Sequence, residues 1–254
     1  MSYYPILNAP GCRGWVGLSN FPPNNWEIRN LQTQCINVTW PSENTWISKT
    51  IGYLDSGSCK TITSADVEDI VPANALPLLS LTLKPLPQKS DTLPLIEHTK
   101  TSIPAWRATL GLYTSEAQSS YQGELDPFPP QASLLTFGPF LQFSDQIENY
   151  IILLNIEKNP IKRSTTLEVY DATRIECKGK FIIKSNSCNP ILLDELGFKP
   201  FDLPVHLCRE MTCIPLYLSI TKDGSYLSLE HTHPPASFVV FGKRWEAQRL
   251  LKSQ

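Results

Sequence analysis

The residues best suited to chemistry lie near the C-terminus, in the run Glu230-His231-Thr232-His233. Residues two apart in a β-strand point to the same face of the sheet. Neutral imidazole is the commonest nitrogen ligand of metal ions, so His231 and His233 could present two ligands to one metal. The run therefore predicts a divalent metal as the candidate cofactor, with Glu230 as a further ligand or as a general base.

Two other histidines are available to complete such a site. The chain has four histidines in all, and the remaining two are His98 and His206. We take His206 as the first candidate for a third ligand and His98 as the next. The alternative, which the short length of the motif favours, is that both imidazoles of the motif form local hydrogen bonds at a strand end, before the Pro234-Pro235 break.

The His-x-His pattern follows a glycine and a predicted strand, and over about ten residues it resembles the first motif of the cupins. Cupins are metal-binding double-stranded β-helix proteins, so the resemblance implies a metal-dependent enzyme. The chain departs from the pattern because Pro234 to Ser237 stand where a glutamate is expected. The spacing from Gly224 to His231 is also one residue longer than the pattern has, and we do not assign the chain to the family.

Aromatic and acidic residues form a second set of candidates. Trp40 and Trp46 flank a predicted hairpin turn, and Tyr121 lies close in sequence to Glu124 and Asp126. Exposed rings on a β scaffold can stack on sugars or contact a protein partner, and these five residues are the predicted ligand-binding set. The alternative is that the tryptophans pack in the core, where a large ring buries about 150–250 Å². That alternative is the one we favour for each ring.

Composition excludes several classes of function. The net charge is −2 and the 22 basic residues are interspersed with 24 acidic ones, so no nucleic-acid footprint is visible. Neither a phosphate-binding glycine loop nor a Gly-x-Ser-x-Gly elbow occurs. No signal peptide or membrane-spanning run is evident, and the seven irregularly spaced cysteines indicate reduced thiols. We expect a soluble, cytoplasmic protein with no membrane partner.

The positioning elements are predicted to be short β-strands. The 22 prolines break longer elements, and strands about 10–15 residues apart without intervening helices indicate antiparallel sheets. The clearest signals are two hairpins, at residues 35–54 and 216–229, and a C-terminal helix at 243–254. Residues 1–30 are predicted to be irregular, and the Pro-rich segment 84–94 is predicted to be a linker.

The fold class predicted is all-β and mainly antiparallel. We expect a smaller, irregular, β-rich N-terminal part at residues 1–100 and a β-sandwich or jelly-roll-like part at residues 101–254. Two function classes remain open. The first is a soluble β-sandwich binding or accessory module for a glycan, small molecule or protein partner. The alternative is a metal-dependent, cupin-like enzyme that uses the Glu-His-x-His strand.

Overall fold

The fold is that of a mainly antiparallel β protein. The structure is a computed structural model, and it describes residues 3–21, 32–95, 109–122, 134–137, 144–171, 176–199, 202 and 204–231. Within these ranges the helices are two short 3-10 turns, Ser64–Asp66 and Asp194–Leu196. None of the helices in this part of the chain has the length and apolar character needed to cross a bilayer. The predicted all-β class is confirmed.

The described residues group into two compact units that interleave along the chain. The first unit draws on Met1–Tyr113, Ser120–Pro127 and Glu157–Lys162. The second draws on Thr114–Ser119, Phe128–Ile156 and Arg163–Gln254. The domain boundary predicted near residue 100 lies outside the described residues, so the division into domains 1–100 and 101–254 stays a prediction.

The first ten strands form two sheets. In one sheet the order is β1-β7-β4-β5-β8, and in the other it is β10-β9-β3-β2, with β6 also paired to β3. The strands are β1 (Tyr4–Pro5), β2 (Asn8–Ala9), β3 (Cys12–Ser19), β4 (Gln34–Ser42), β5 (Thr45–Leu54), β6 (Cys59–Thr63), β7 (Leu78–Thr82), β8 (Lys89–Ser90), β9 (Thr109–Tyr113) and β10 (Gln118–Gln122).

The first predicted hairpin is confirmed. Strands β4 and β5 pair antiparallel from Gln34↔Leu54 to Ser42↔Thr45. The alternation of apolar and polar residues in β4 made this strand visible, since its period of two matches the pleat of a sheet. The turn residue Glu43 has a φ of 50°, a conformation that non-glycine residues adopt at a cost.

Strand β3 corrects the prediction that residues 1–30 are irregular. This eight-residue strand pairs with β2, β6 and β9, and it contains Gly14 and Gly17. Glycine weakens a strand, which is why the sequence pattern hid this one. Its role at position 14 is a close approach: a Cβ there would overlap the carbonyl oxygen of Leu7.

The segment predicted as a linker is instead packed into the first unit. Strand β8 pairs with β5 through Lys89↔Ile47 and Ser90↔Trp46. Leu93 is only 3% exposed, and its N–H donates to the carbonyl of Lys158 at 2.8 Å. The proline-rich composition predicted a linker, but a proline-rich segment can also dock as an edge strand of a sheet.

The last eight strands form the other two sheets. Their orders are β11-β16-β13-β14 and β15-β12-β17-β18. The strands are β11 (Leu134–Phe137), β12 (Ile147–Asn155), β13 (Ser164–Asp171), β14 (Glu176–Lys184), β15 (Ser187–Leu192), β16 (Pro204–Cys208), β17 (Ile214–Thr221) and β18 (Leu227–His231). The predicted hairpin of β17 and β18 is confirmed, and Gly224 in its turn has a φ of 75°.

These two sheets enclose one apolar core, which makes the second unit a β-sandwich. Ile151, Leu153 and Tyr217 from one sheet meet Leu167 and Val169 from the other. Burial of each such aliphatic side chain is worth about 1.5–3 kcal/mol, so this interface stabilises the unit. The predicted sandwich is confirmed in this respect, whereas the predicted C-terminal helix at 243–254 lies outside the described residues.

Candidate functional site

The predicted metal motif is described only in part. Glu230 and His231 end strand β18, where their backbones pair with Tyr217 and Leu216. The side chain of Glu230 is exposed. The side chain of His231 and all of His233 and His98 lie outside the described residues. Among the residues that the structure describes, no three His, Cys, Asp or Glu side chains are grouped closely enough to hold a metal ion.

His206, the proposed third ligand, lies on the opposite sheet from Glu230. It stands on β16 between Thr136 and Val169, and its ring is 1% exposed. Its ring centroid lies 5.6 Å from that of Tyr217 in the sandwich core. Within the described residues, neither ring nitrogen has a hydrogen-bond partner. The metal site of His231, His233, Glu230 and His206 stays a prediction.

The electrostatics of His206 follow from its burial. Transfer of an ionised group out of water is costly, so a buried histidine favours its neutral form. Desolvation lowers the pKa of His206 from the ordinary 6.5 to about 3. The imidazole is therefore neutral at physiological pH. A neutral ring is competent to bind metal, but it is equally the form that an apolar core accepts.

Most of the aromatic residues predicted to bind a ligand lie in the core. Trp46 is fully buried, and its indole N–H donates to the carbonyl of Lys158 at 2.8 Å. Trp40 is also buried, and Tyr121 on β10 is half-buried. The packing alternative therefore describes both tryptophans, because a buried ring leaves no face for stacking on a sugar. Glu124 and Asp126 lie outside the described residues, so their predicted role in ligand binding stays a prediction.

Sequence reasoning missed a cleft in the second unit, which we call the acidic cleft. Its volume is about 470 Å³, and three carboxylates, one ammonium group and an apolar floor line it. The lining residues are Ser144, Asp145, Ile147, Glu148, Leu192, Asp194, Phe198 and Lys222. They come from the start of β12, the end of β15, the Asp194–Leu196 turn and the β17–β18 turn, so no contiguous motif could reveal the cleft.

Hydrogen bonds from buried residues hold two carboxylates of the acidic cleft in place. The buried Asn149 donates to Asp194 twice, through its backbone N–H and through its side-chain amide at 2.9 Å. The amide oxygen of Asn149 in turn accepts from the hydroxyl of Ser219 at 2.8 Å. The hydroxyl of Tyr150 donates to Glu148 at 2.8 Å. These bonds restrict the carboxylates to one geometry before any ligand arrives.

Two other charged groups of the acidic cleft remain available. The side chains of Asp145 and Lys222 are exposed, and neither forms a hydrogen bond or ion pair within the described ranges. The backbone N–H of Lys222 donates to the carbonyl of Gln146 at 2.9 Å, which ties the β17–β18 turn to the segment before β12. The cleft thus combines fixed acceptors with two charges that are free to turn toward a ligand.

Comparison with known proteins assigns no family to this fold and this cleft. No protein-family model, no curated protein and no solved structure matches the chain.

Proposed function

We propose that the protein is a β-sandwich binding module and that the acidic cleft is its ligand site, with a glycan as ligand. The observation that carries the proposal is the pair of carboxylates, Glu148 and Asp194, that core side chains hold above an apolar floor. Ligand sites are typically concave, with a few convergent polar groups on a largely preformed surface. A site fixed in advance loses less conformational entropy on binding.

The chemistry of the lining supports a polyhydroxylated ligand. Ionised carboxylates only accept hydrogen bonds, whereas sugar hydroxyls can donate them. Lys222 adds a donor for ring or hydroxyl oxygens, and Ser144 can serve as donor or acceptor. Ile147 and Leu192, which are half-buried, offer apolar surface to the C–H face of a sugar ring. The acidic cleft thus supplies both kinds of contact that a sugar needs.

The metal-dependent enzyme remains the second function class. It needs Glu230, His231 and His233 to meet a third ligand, and His206 was its first candidate. In the described part of the chain, His206 packs against Tyr217 inside the sandwich while Glu230 is exposed. No described contact joins these two side chains, so the binding module has the stronger support.

A glycan array followed by titration calorimetry tests the proposal. The best-bound oligosaccharide is titrated into the wild-type protein and into Asp145→Asn and Lys222→Gln. A hydrogen bond to a charged group is worth about 1.5–3 kcal/mol, so each variant should bind about 10–100-fold more weakly. Exposed residues of the first unit supply matched controls, Asp91→Asn and Lys84→Gln, which should bind as the wild type does. If neither cleft variant weakens glycan binding, the acidic cleft is not the glycan site.

A further inference from the structure

The first unit has a smaller pocket that the proposed function does not use. Its volume is about 280 Å³. The floor of this pocket is formed by buried aliphatic side chains, namely Ile6, Leu7, Val67 and Val71. Arg13 and Glu68 line it as well, and both side chains are exposed. We call it the zwitterion pocket, because an apolar floor is combined with one charge of each sign.

The pocket is built by close backbone packing on one side and a pinned turn on the other. At Gly14 the absence of a side chain lets the backbone of Leu7 lie directly against β3. On the other side, the N–H of Val71 donates to the carbonyl of Val67 at 2.9 Å. The N–H of Ala75 likewise donates to the carbonyl of Pro72 at 2.9 Å. The close packing at Gly14 and the two turn hydrogen bonds therefore fix the backbone on both sides of the pocket.

The two charges of the pocket are not used by the fold. Within the described part of the chain, the side chains of Arg13 and Glu68 form no hydrogen bond or ion pair, with each other or with a third group. By contrast, Glu168 in the second unit is paired with Lys180 at 2.8 Å. Opposite charges that line one pocket without pairing can each take a ligand group of the complementary sign.

We propose that the zwitterion pocket binds a free α-amino acid with a large apolar side chain. Arg13 receives the carboxylate, to which guanidinium can donate two parallel hydrogen bonds. Glu68 receives the ammonium group, and the more exposed apolar lining at Pro72, Ala75 and Pro77 receives the side chain above the buried floor. The volume is just below the 300–1,000 Å³ typical of sites for drug-sized ligands, which suits a single amino acid better than a nucleotide or a large cofactor.

Titration of the whole chain with L-leucine and L-phenylalanine tests this assignment. We expect saturable binding of one molecule per chain. Three comparison compounds each remove one recognised group: glycine lacks the side chain, leucine methyl ester lacks the carboxylate, and N-acetyl-leucine lacks the ammonium group. Each should bind about tenfold more weakly or worse, because the two derivatives lose a hydrogen bond to a charged group and glycine loses the burial of an apolar side chain. Equal binding of leucine and its two derivatives would overturn the proposal.

Variants assign each ligand group to its residue. Arg13→Gln should weaken leucine binding, and it should also abolish the preference for leucine over its methyl ester. Glu68→Gln should abolish the preference over N-acetyl-leucine in the same way. Ala75→Leu, which fills the pocket, should remove binding, and unchanged melting temperatures show that all three variants fold. Lys84→Gln and Glu116→Gln alter exposed charges elsewhere and should bind leucine normally.

The outcome is separable from that of the glycan proposal. Asp145→Asn and Lys222→Gln change only the acidic cleft, so leucine binding in these variants should match the wild type. Leucine binding that Asp145→Asn or Lys222→Gln weakens, and that Arg13→Gln leaves unchanged, would contradict binding at the zwitterion pocket. No binding of leucine or phenylalanine to the wild-type chain would contradict it as well, and the glycan proposal would be unaffected.

Discussion

Two regions of the second unit bury polar side chains to the same extent but satisfy them differently. Asn149 beneath the acidic cleft and His206 in the sandwich core are each 1% exposed. Asn149 donates to Asp194 and accepts from Ser219, whereas both ring nitrogens of His206 lack a partner within the described residues. A satisfied buried polar group fixes a site, while an unsatisfied one costs free energy and makes the core sensitive to pH.

The largest expected effect is acid destabilisation through His206. Its folded pKa of about 3 lies below the ordinary 6.5, so the unfolded chain binds the proton first as pH falls. The contribution of the His206 ring to stability is therefore complete above about pH 6.5 and is lost as the pH falls toward 3. One pKa unit corresponds to 1.36 kcal/mol, which predicts a loss of about 3 kcal/mol from this group by pH 4.5. Free energies of unfolding in urea, compared at pH 7.5 and 4.5, measure this loss.

The control for this prediction is His206→Phe, which removes the titrating group but keeps a ring beside Tyr217. Carboxylates titrate in both proteins, so the informative quantity is the difference between the two pH dependences. The variant should lose about 3 kcal/mol less than the wild type between the two pH values. Identical dependences would show that His206 does not stay neutral in the folded core.

A smaller loss is expected from Asn149→Leu. This change removes the amide that bonds both Asp194 and Ser219, and each buried hydrogen bond lost costs about 1 kcal/mol, or more where a charged partner is left behind. We predict a free energy of unfolding lower by about 2 kcal/mol, together with weaker glycan binding. Chemical unfolding and calorimetry on the same sample measure both. Unchanged glycan affinity would mean that Asp194 keeps its position without the side-chain amide of Asn149.

Ser219→Ala should have a milder effect of the same kind. It removes only the donor to the amide oxygen of Asn149 and leaves the two bonds from Asn149 to Asp194 in place. The expected loss of stability is about 1 kcal/mol, with glycan affinity close to that of the wild type. The melting temperature of this variant, read beside that of Asn149→Leu, separates stability of the network from positioning of Asp194. A fall in affinity as large as that of Asn149→Leu would contradict this separation.

The smallest change in stability is expected for His206→Phe at neutral pH. At pH 7.5, His206→Phe replaces an unbonded polar ring by an apolar one of similar shape, which is near neutral or stabilising. We expect a change in unfolding free energy within about 1 kcal/mol, in contrast to the loss in Asn149→Leu. A large loss at this pH would reveal that the His206 nitrogens have partners outside the described residues.

Local pattern was enough to predict the elements whose partners are close in sequence. The β4–β5 and β17–β18 hairpins each carry alternating residues and a turn, and their strands pair within about 20 residues of chain. Strand β3 was missed because glycine has a low strand propensity, whereas Gly14 is required by the close approach of the Leu7 backbone. Strand β16 was missed because it is short and buried on both faces, and its partners lie on β11 and β13.

Chain composition and periodicity by themselves determined the all-β class, the antiparallel pairing and a sandwich in the later part of the chain, because these depend on the alternation of side chains across a pleated sheet. Which polar groups meet depends on long-range strand pairing. Asp194 lies 45 residues from Asn149, and Ser219 lies 70 residues from it. No short-range spacing encodes such contacts, because the order and register of β15, β12 and β17 within one sheet bring these residues together.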